Sequence, residues 1–404
     1  MAESVIQQSQ HLRNTHYELR GKIAAMAMHM ESQGETILKC HLGNPGLFGL
    51  HAHDDLTQAV HAGLVAGQSY CDSLGLMEAR EAIDANWQAK GLPSTDVDHV
   101  MVGNGVSELI NAVLQALLNP GDEVLLPQPV YPLWSAATTA CCGQVRYYRC
   151  DEQNGWLPDV DHMASLVTPK TKAVVVINPN NPTGAVYPPA LLQAIAAVAA
   201  KHQLVVFADE IYSDIVFDQK PFYHMADYAQ DTLTITFDGL SKNYLLAGYR
   251  CAWMVCSGRC DSAQDYLNGV RKLLSMRLCA NVPAQFAVAK ALSDPRYQLL
   301  SRYPEFQQRR DQVVAAINQV PGLHCHNPEG AFYLYPAWES DYCDWQQDTD
   351  WALSFLQRHR ILFAPGSTFG QADQRHFRMV LLPDLPVLLQ AVALLAEDAA
   401  RAAG

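Results

Sequence analysis

Five side chains of reactive type follow short apolar runs in this chain, in the order Asn181, Asp209, Tyr212, Lys242 and Arg250. Lys242 comes just after Leu233-Thr234-Ile235-Thr236-Phe237 and lies in a nearly uncharged segment, Leu240 to Tyr249. Lysine is seldom buried without a partner. In this setting it is either a phosphate contact or a Schiff-base nucleophile whose amine burial shifts towards the reactive neutral form. Asp209 ends the run Leu204-Val205-Val206-Phe207-Ala208 and opens Asp209-Glu210-Ile211-Tyr212. A carboxylate so placed is costly unless a cation faces it. The run Ala173-Val174-Val175-Val176-Ile177 leads into Asn178-Pro179-Asn180-Asn181-Pro182-Thr183-Gly184, which puts amide side chains at a third run's end.

These runs are short, continuous and β-branched, and helical-period segments separate them. Such a pattern predicts an α/β fold with a mostly parallel sheet buried on both faces, whose ligands bind at the carboxyl ends of the strands. Val100-Met101-Val102 is followed by Gly103-Asn104-Gly105-Val106-Ser107-Glu108 and a helix over 109–118. A glycine turn opening a helix aims free N–H groups at an anion, and a plain capped turn is the ordinary alternative. After the strand Glu123–Leu126, the loop Pro127-Gln128-Pro129-Val130-Tyr131-Pro132-Leu133-Trp134 is stiffened by proline and would hold Tyr131 or Trp134 as a stacking platform.

Towards the N-terminus, Tyr17 and Arg20 precede an amphipathic segment over 23–33 and a strand-like piece from Thr36 to Leu42, which ends in Gly43-Asn44-Pro45-Gly46. Two helices within 54–90 flank a small, polar linker carrying Tyr70, a surface residue or one that reaches a ligand or a neighbouring subunit. After about residue 300 the pattern restarts, with strands expected at 331–335 and 361–363, a helix at 351–359 and a terminal helix. The expected division is an N-terminal segment 1–45, a large domain 46–295 with a seven-stranded sheet, and a small α/β domain 296–404.

Composition narrows the class. With 404 residues, 49% hydrophobic and 17% charged, the chain reads as a well-packed globular protein of two domains. A net charge of -13 argues against a nucleic-acid surface. The polar N-terminus has no signal-peptide core, and Lys201 and His202 break the most apolar long run, so no membrane span is expected. Eleven cysteines without a C-x-x-C motif read as reduced thiols of the cytoplasm. His324-Cys325-His326 is read as strand alternation and not as a metal site.

One ligand accounts for the whole set: a flat, anionic heterocycle bearing an aldehyde. Lys242 would form its Schiff base, Asp209 would keep a ring nitrogen protonated, and Tyr131 would stack on the ring. Asn181 and Tyr212 would bond a ring hydroxyl, while the Gly105-Val106-Ser107 turn and Arg250 would take a phosphate. That ligand is pyridoxal 5′-phosphate, an electron sink for carbanions α to an amine.

The chain resembles the class I/II aminotransferases of PLP fold type I, on Asn181-Pro182-Thr183-Gly184, Asp209-Glu210-x-Tyr212 and Ser241-Lys242 followed by Arg250. Within that family it is most similar to bacterial glutamate–pyruvate (alanine) transaminases. The segments carrying this are Gly67 to Ser73, Gly103 to Ile110, Val130 to Trp134 and Ser275 to Gln285. The resemblance implies ping-pong transamination between alanine/pyruvate and glutamate/2-oxoglutarate, with Lys242 as general base and acid. It further implies a homodimer in which Tyr70 reaches the partner's cofactor phosphate, with Arg378 gripping the substrate carboxylate and Gly43 bordering it. Tyr17 and Arg20 fall in the segment that covers the site in that family, and Ser241 or a backbone N–H would supply a further phosphate contact. One departure is Gly239, where many relatives carry a serine. Competing readings are an aminotransferase for aromatic, aspartate or branched-chain amino acids, a C–S lyase on the same fold, or a PLP-binding regulator. The last is disfavoured because the segment before the sheet region is too short for a helix-turn-helix domain.

Overall fold

The computed structural model describes residues 6–15, 17, 21–93, 95–339, 347–370 and 375–402. Within it the apolar runs pair into one sheet of eight strands: β1 (Val100–Gly103), β2 (Glu123–Gln128), β3 (Gln144–Asp151), β4 (Leu157–Pro158), β5 (Thr171–Ile177), β6 (Val205–Asp209), β7 (Leu233–Gly239) and β8 (Ala252–Gly258). Their spatial order is β1-β8-β7-β6-β5-β2-β3-β4. The five strands from β7 to β3 run parallel, whereas β8 is antiparallel to both β7 and β1. Seven long strands match the expected count, and β4 adds two residues antiparallel at the β3 edge.

The continuous apolar runs are explained by the layers on either side. Successive strand residues face opposite ways. Ala173, Val175 and Ile177 of β5 pack with Leu109, Val113, Leu267 and Val270 of helices Val106–Leu117 and Gln264–Met276. Val174 and Val176 pack instead with Leu192, Ile195 and Ala199 of helix Pro189–His202. Each fully buried Val or Ile contributes about 1.5–3 kcal/mol, so the central strands are anchored from both faces and their ends are rigid.

A further apolar cluster, which also takes in Val100, Val102, Trp253 and Val255 of β1 and β8, extends to Trp351, Phe355, Phe363 and Phe377. Here β9 (Leu323–His324) pairs with β11 (Ala337–Trp338), and β13 (Phe377–Val380) lies between β10 (Tyr333–Leu334) and β12 (Ala364–Pro365). Backbone bonds stitch this region to the ends of the large sheet. Ala331 N donates to Ile215 O at 2.8 Å, Phe217 N to Glu329 O at 2.8 Å, and Gly330 N to Gly184 O at 2.8 Å.

Some expected strands are shorter or shifted. Thr36–Leu42 forms only a bridge, Leu38 to Ile361, with a further backbone bond, Val380 N to Cys40 O at 2.9 Å, in place of a continuous ladder. Pairing expected over 361–363 falls at β12, which lies beside β13. Only Tyr333 and Leu334 of 331–335 pair, since Ala331 turns away with a φ of 58° to bond Ile215. Pro132 to Trp134, expected as loop, forms the first turn of helix Pro132–Ala140, where proline's missing N–H costs nothing.

Gly239 closes β7 against β8. A Cβ there would sit 2.7 Å from Ala252 Cβ and 2.9 Å from the Cys251 carbonyl oxygen, backbone that cannot give way. Gly239→Ser is therefore expected to destabilise the fold by about 1–3 kcal/mol, read as a lowered urea midpoint with an unchanged m-value. An unchanged midpoint would show that β8 can move aside.

Candidate active site

The carboxyl ends of β5, β6 and β7 converge with the N-terminus of helix Val106–Leu117 on a cavity of about 180 Å³. Gly43, Val106, Ser107, Tyr131, Asn181, Asp209, Tyr212, Ser241, Lys242, Arg250, Tyr333 and Arg378 line it. Asp209 is the last residue of β6, and Asn181 and Lys242 lie a few residues beyond β5 and β7. Residues far apart in sequence thus meet because three neighbouring parallel strands end at one level.

Lys242 Nζ donates to the Gly43 carbonyl oxygen at 2.7 Å. Burial lowers its pKa below the ordinary lysine value. The neighbouring Tyr333 opposes that shift, and Arg378 and Arg250 reinforce it. Asp209 is held differently. Trp134 Nε1 donates to its Oδ2 at 3.0 Å, while its Oδ1 is buried without a partner. Burial raises this carboxyl from 3.8 to about 6, opposed chiefly by the Trp134 bond. Trp134 is itself wedged against Phe207 and Phe237, each with its ring centre 5.7 Å away, so the direction of its N–H is fixed.

At the anion end, Gly105 caps the helix with a φ of 86°, a conformation that favours glycine. A Cβ there would overlap the Arg250 guanidinium, so the turn and the cation share one close contact. Arg250 Nη1 donates to Ala247 O at 2.9 Å and reaches Ser241 Oγ at 3.5 Å. Glu108 is turned away from the cavity, accepting from Asn104 N at 2.7 Å and Arg277 Nε at 3.0 Å. The helix N-terminus, Ser107, Ser241 and Arg250 therefore form an electropositive corner suited to a phosphate.

At the opposite end, Arg378 Nη1 donates to Asn181 Oδ1 at 2.7 Å and Nη2 to the His41 carbonyl at 2.5 Å. The guanidinium lies 4.3 Å above the Tyr333 ring and 4.6 Å from that of Phe369, and its Nε is buried without a partner. Tyr333 also bonds Tyr212, hydroxyl to hydroxyl, at 2.7 Å.

Most residues expected to share a site do so, and the exceptions are informative. Tyr70 is 79% exposed on its linker, away from the cavity. Tyr17 adjoins the Tyr131 hydroxyl from outside the lining, and Arg20 lies outside the described residues. Gly105 borders the cavity through Val106, and Gly239 is packed against β8 and does not line it. Trp134, read from sequence as a possible stacking surface, is fully buried and bonded to Asp209. Tyr333 was missed altogether, because in Ala331-Phe332-Tyr333-Leu334-Tyr335 it looks like one more core aromatic.

The pattern of the Aminotransferase class I and II family matches residues 54–390. The chain belongs to that family. This aminotransferase is 43% identical over 384 residues to "Glutamate-pyruvate aminotransferase AlaA" of Escherichia coli (strain K12), covering 94% of each chain. To "Alanine aminotransferase" of Mycobacterium tuberculosis (strain H37Rv) it is 41% identical over 379 residues, covering 93% of this chain and 88% of that one. Among solved structures, an aminotransferase from Escherichia coli superposes with a TM-score of 0.95 at 42% identity, over 98% of this chain and 99% of that chain. These neighbours carry the α/β aminotransferase fold along almost the entire length. No helix among the described residues is long and apolar enough to cross a membrane.

The raised Asp209 carboxyl has a consequence for the cofactor-free aminotransferase. A folded-state pKa above the unfolded value gives stability that is complete below the unfolded pKa and is lost as pH rises through the folded one. Between about pH 4 and pH 6 the protein should lose about 2–3 kcal/mol on account of Asp209. Asp209→Asn should remove that component, so the difference between the two urea-denaturation profiles across this window is the measurement. Parallel profiles would mean that the carboxyl is not titrating in the folded protein.

Proposed function

We propose that this aminotransferase uses pyridoxal 5′-phosphate to exchange an amino group between alanine/pyruvate and glutamate/2-oxoglutarate, and that it works as a homodimer. The observation that carries the cofactor assignment is Asp209: a buried carboxylate with one oxygen fixed by Trp134 and the other unpartnered beside the cavity. Asp209 would hold a protonated ring nitrogen through that oxygen and would itself stay charged by doing so. The electropositive corner at Ser107, Ser241 and Arg250 suits the phosphate, Tyr131 offers a ring face, and Tyr212 offers a donor to the ring oxygen. The names of the bacterial relatives support the choice of substrates.

When bound, pyridoxal phosphate supplies an electron sink for the negative charge that develops at the substrate α-carbon. The chain's own residues do the rest. Arg378 pairs with the substrate carboxylate through its planar guanidinium, pre-aimed by Asn181 and the His41 carbonyl. Lys242 Nζ, kept towards its neutral form by burial, takes the α-proton and returns it as general base and acid. Gly43 O accepts from that amine at 2.7 Å when no cofactor is bound and borders the carboxylate site. The same residues then work in reverse on the 2-oxo acid.

In the homodimer, the exposed Tyr70 would reach the phosphate of the partner's cofactor. The segment 1–45, carrying Tyr17 and Arg20, would cover the site formed between the large domain 46–295 and the small domain 296–404. Free buried thiols such as Cys40, Cys150 and Cys256 suit a reducing cytoplasm.

Lys242→Ala should lower turnover by about 10³-fold or more and abolish the visible absorbance of the lysine-bound cofactor, while leaving the fold intact by circular dichroism. Full turnover in that variant would overturn the mechanism. Arg378→Lys keeps the charge but loses the planar fork. The expected result is a KM for amino donors raised about 10–100-fold with cofactor affinity unchanged, in steady-state assays and a cofactor titration. Substrate choice is tested by single-turnover loss of cofactor absorbance with each amino acid in turn. Alanine and glutamate should respond most strongly; weak response to both would remove the substrate assignment, and pyruvate release from a β-substituted cysteine would favour a lyase.

A further inference from the structure

Tyr333 belongs to none of the expected catalytic motifs, yet it touches three parts of the site. Its hydroxyl bonds Tyr212 at 2.7 Å, with the two rings edge-to-face at 5.6 Å. Arg378 stacks 4.3 Å above its ring. On the remaining side its hydroxyl fills the space that a Cβ on Gly43 would occupy. Tyr212 and Tyr333 come from opposite units, the first after β6 and the second on β10, yet both are almost wholly buried. The other titratable or charged groups around the pair are Arg378 on β13, Tyr131 ahead of helix Pro132–Ala140, and Lys242 beyond β7.

A phenol has one proton to donate. If Tyr212 gives its proton to the ring oxygen of the cofactor, as the proposed function requires, the Tyr212 oxygen can only accept from Tyr333. We infer that Tyr333 is a positioning residue that donates to Tyr212, forming a directed relay, Tyr333 to Tyr212 to ring oxygen, closed by the small domain. Hydrogen bonds in such a chain polarise one another, so the outer donor strengthens the inner one. The same ring carries Arg378, so the residue that orders the substrate carboxylate grip also tunes the cofactor side. This inference rests on the cofactor reading above.

A donor to the ring oxygen favours the more negative, deprotonated state of the bound cofactor, so weakening the donor moves its absorbance midpoint to higher pH. The test reconstitutes wild type, Tyr333→Phe, Tyr212→Phe and the double variant with pyridoxal phosphate, then measures the pH midpoint of visible absorbance and the cofactor dissociation constant. Tyr333→Phe keeps the ring beneath Arg378 and loses only the hydroxyl. Its midpoint should rise by about half to one pH unit. Tyr212→Phe should raise it further, and the double variant should match Tyr212→Phe alone, because Tyr333 acts only through Tyr212. An unmoved midpoint in Tyr333→Phe beside a shifted Tyr212→Phe would overturn the relay and leave the cofactor reading standing. Full additivity in the double variant would overturn it too, by showing that Tyr333 acts independently. No cofactor binding in wild type, or no shift in Tyr212→Phe, would overturn the cofactor reading and the relay together.

Discussion

The site depends on one costly placement: a carboxylate, Asp209, at the buried end of a central strand. The sheet places it there because β6 is paired on both sides in register, Ile177 opposite Asp209 on β5 and Asp209 opposite Phe237 on β7. Trp134 satisfies one oxygen, and the other lies buried beside the cavity with no side-chain partner. Burying a half-satisfied carboxylate is unfavourable by itself. A cationic partner in the cavity relieves that cost, and the binding free energy of such a partner includes the relief.

The rest of the cavity is arranged along the axis that Asp209 defines. One end is cationic through Arg250 and the N-terminus of helix Val106–Leu117, and the other through Arg378. Lys242 sits between them, and the burial that surrounds it moves its amine towards neutrality. Two cationic ends and a buried amine between them separate the binding of two anionic groups from proton transfer. Both ends are pre-ordered by hydrogen bonds to carbonyl oxygens, Ala247 and His41, which avoids reorganisation when an anion arrives.

The two packed units divide this work. Asp209 ends β6, and Tyr212, Lys242 and Arg250 follow strands of the large sheet, whereas Arg378 and Tyr333 stand on β13 and β10. Backbone bonds from Gly184 to Gly330 and from Ile215 to Ala331 hold β10 next to the loop carrying Asn181. The Asn181–Arg378 and Tyr212–Tyr333 bonds cross the same boundary. Any relative movement of the units is therefore felt first at the substrate carboxylate grip.

The sequence by itself determined the α/β class, the central strands and the residues at their ends. Strands buried on both faces must be continuously apolar, so a polar residue at such an end is conspicuous. Asn181, Asp209 and Lys242 are legible for that reason, and the glycine turn at Gly105 because a helix start needs free N–H groups. Tertiary structure alone decided the partners. Trp134 bonds Asp209 across 75 positions of chain and Tyr333 bonds Tyr212 across 121, separations over which no local periodicity carries information. It also decided that Gly239 packs against β8 and leaves Ser241 to face the cavity, and that Asn181 is engaged by Arg378. Local sequence specifies what a residue can do, but which group it does it with is set by the packing of elements that the chain brings together only when folded.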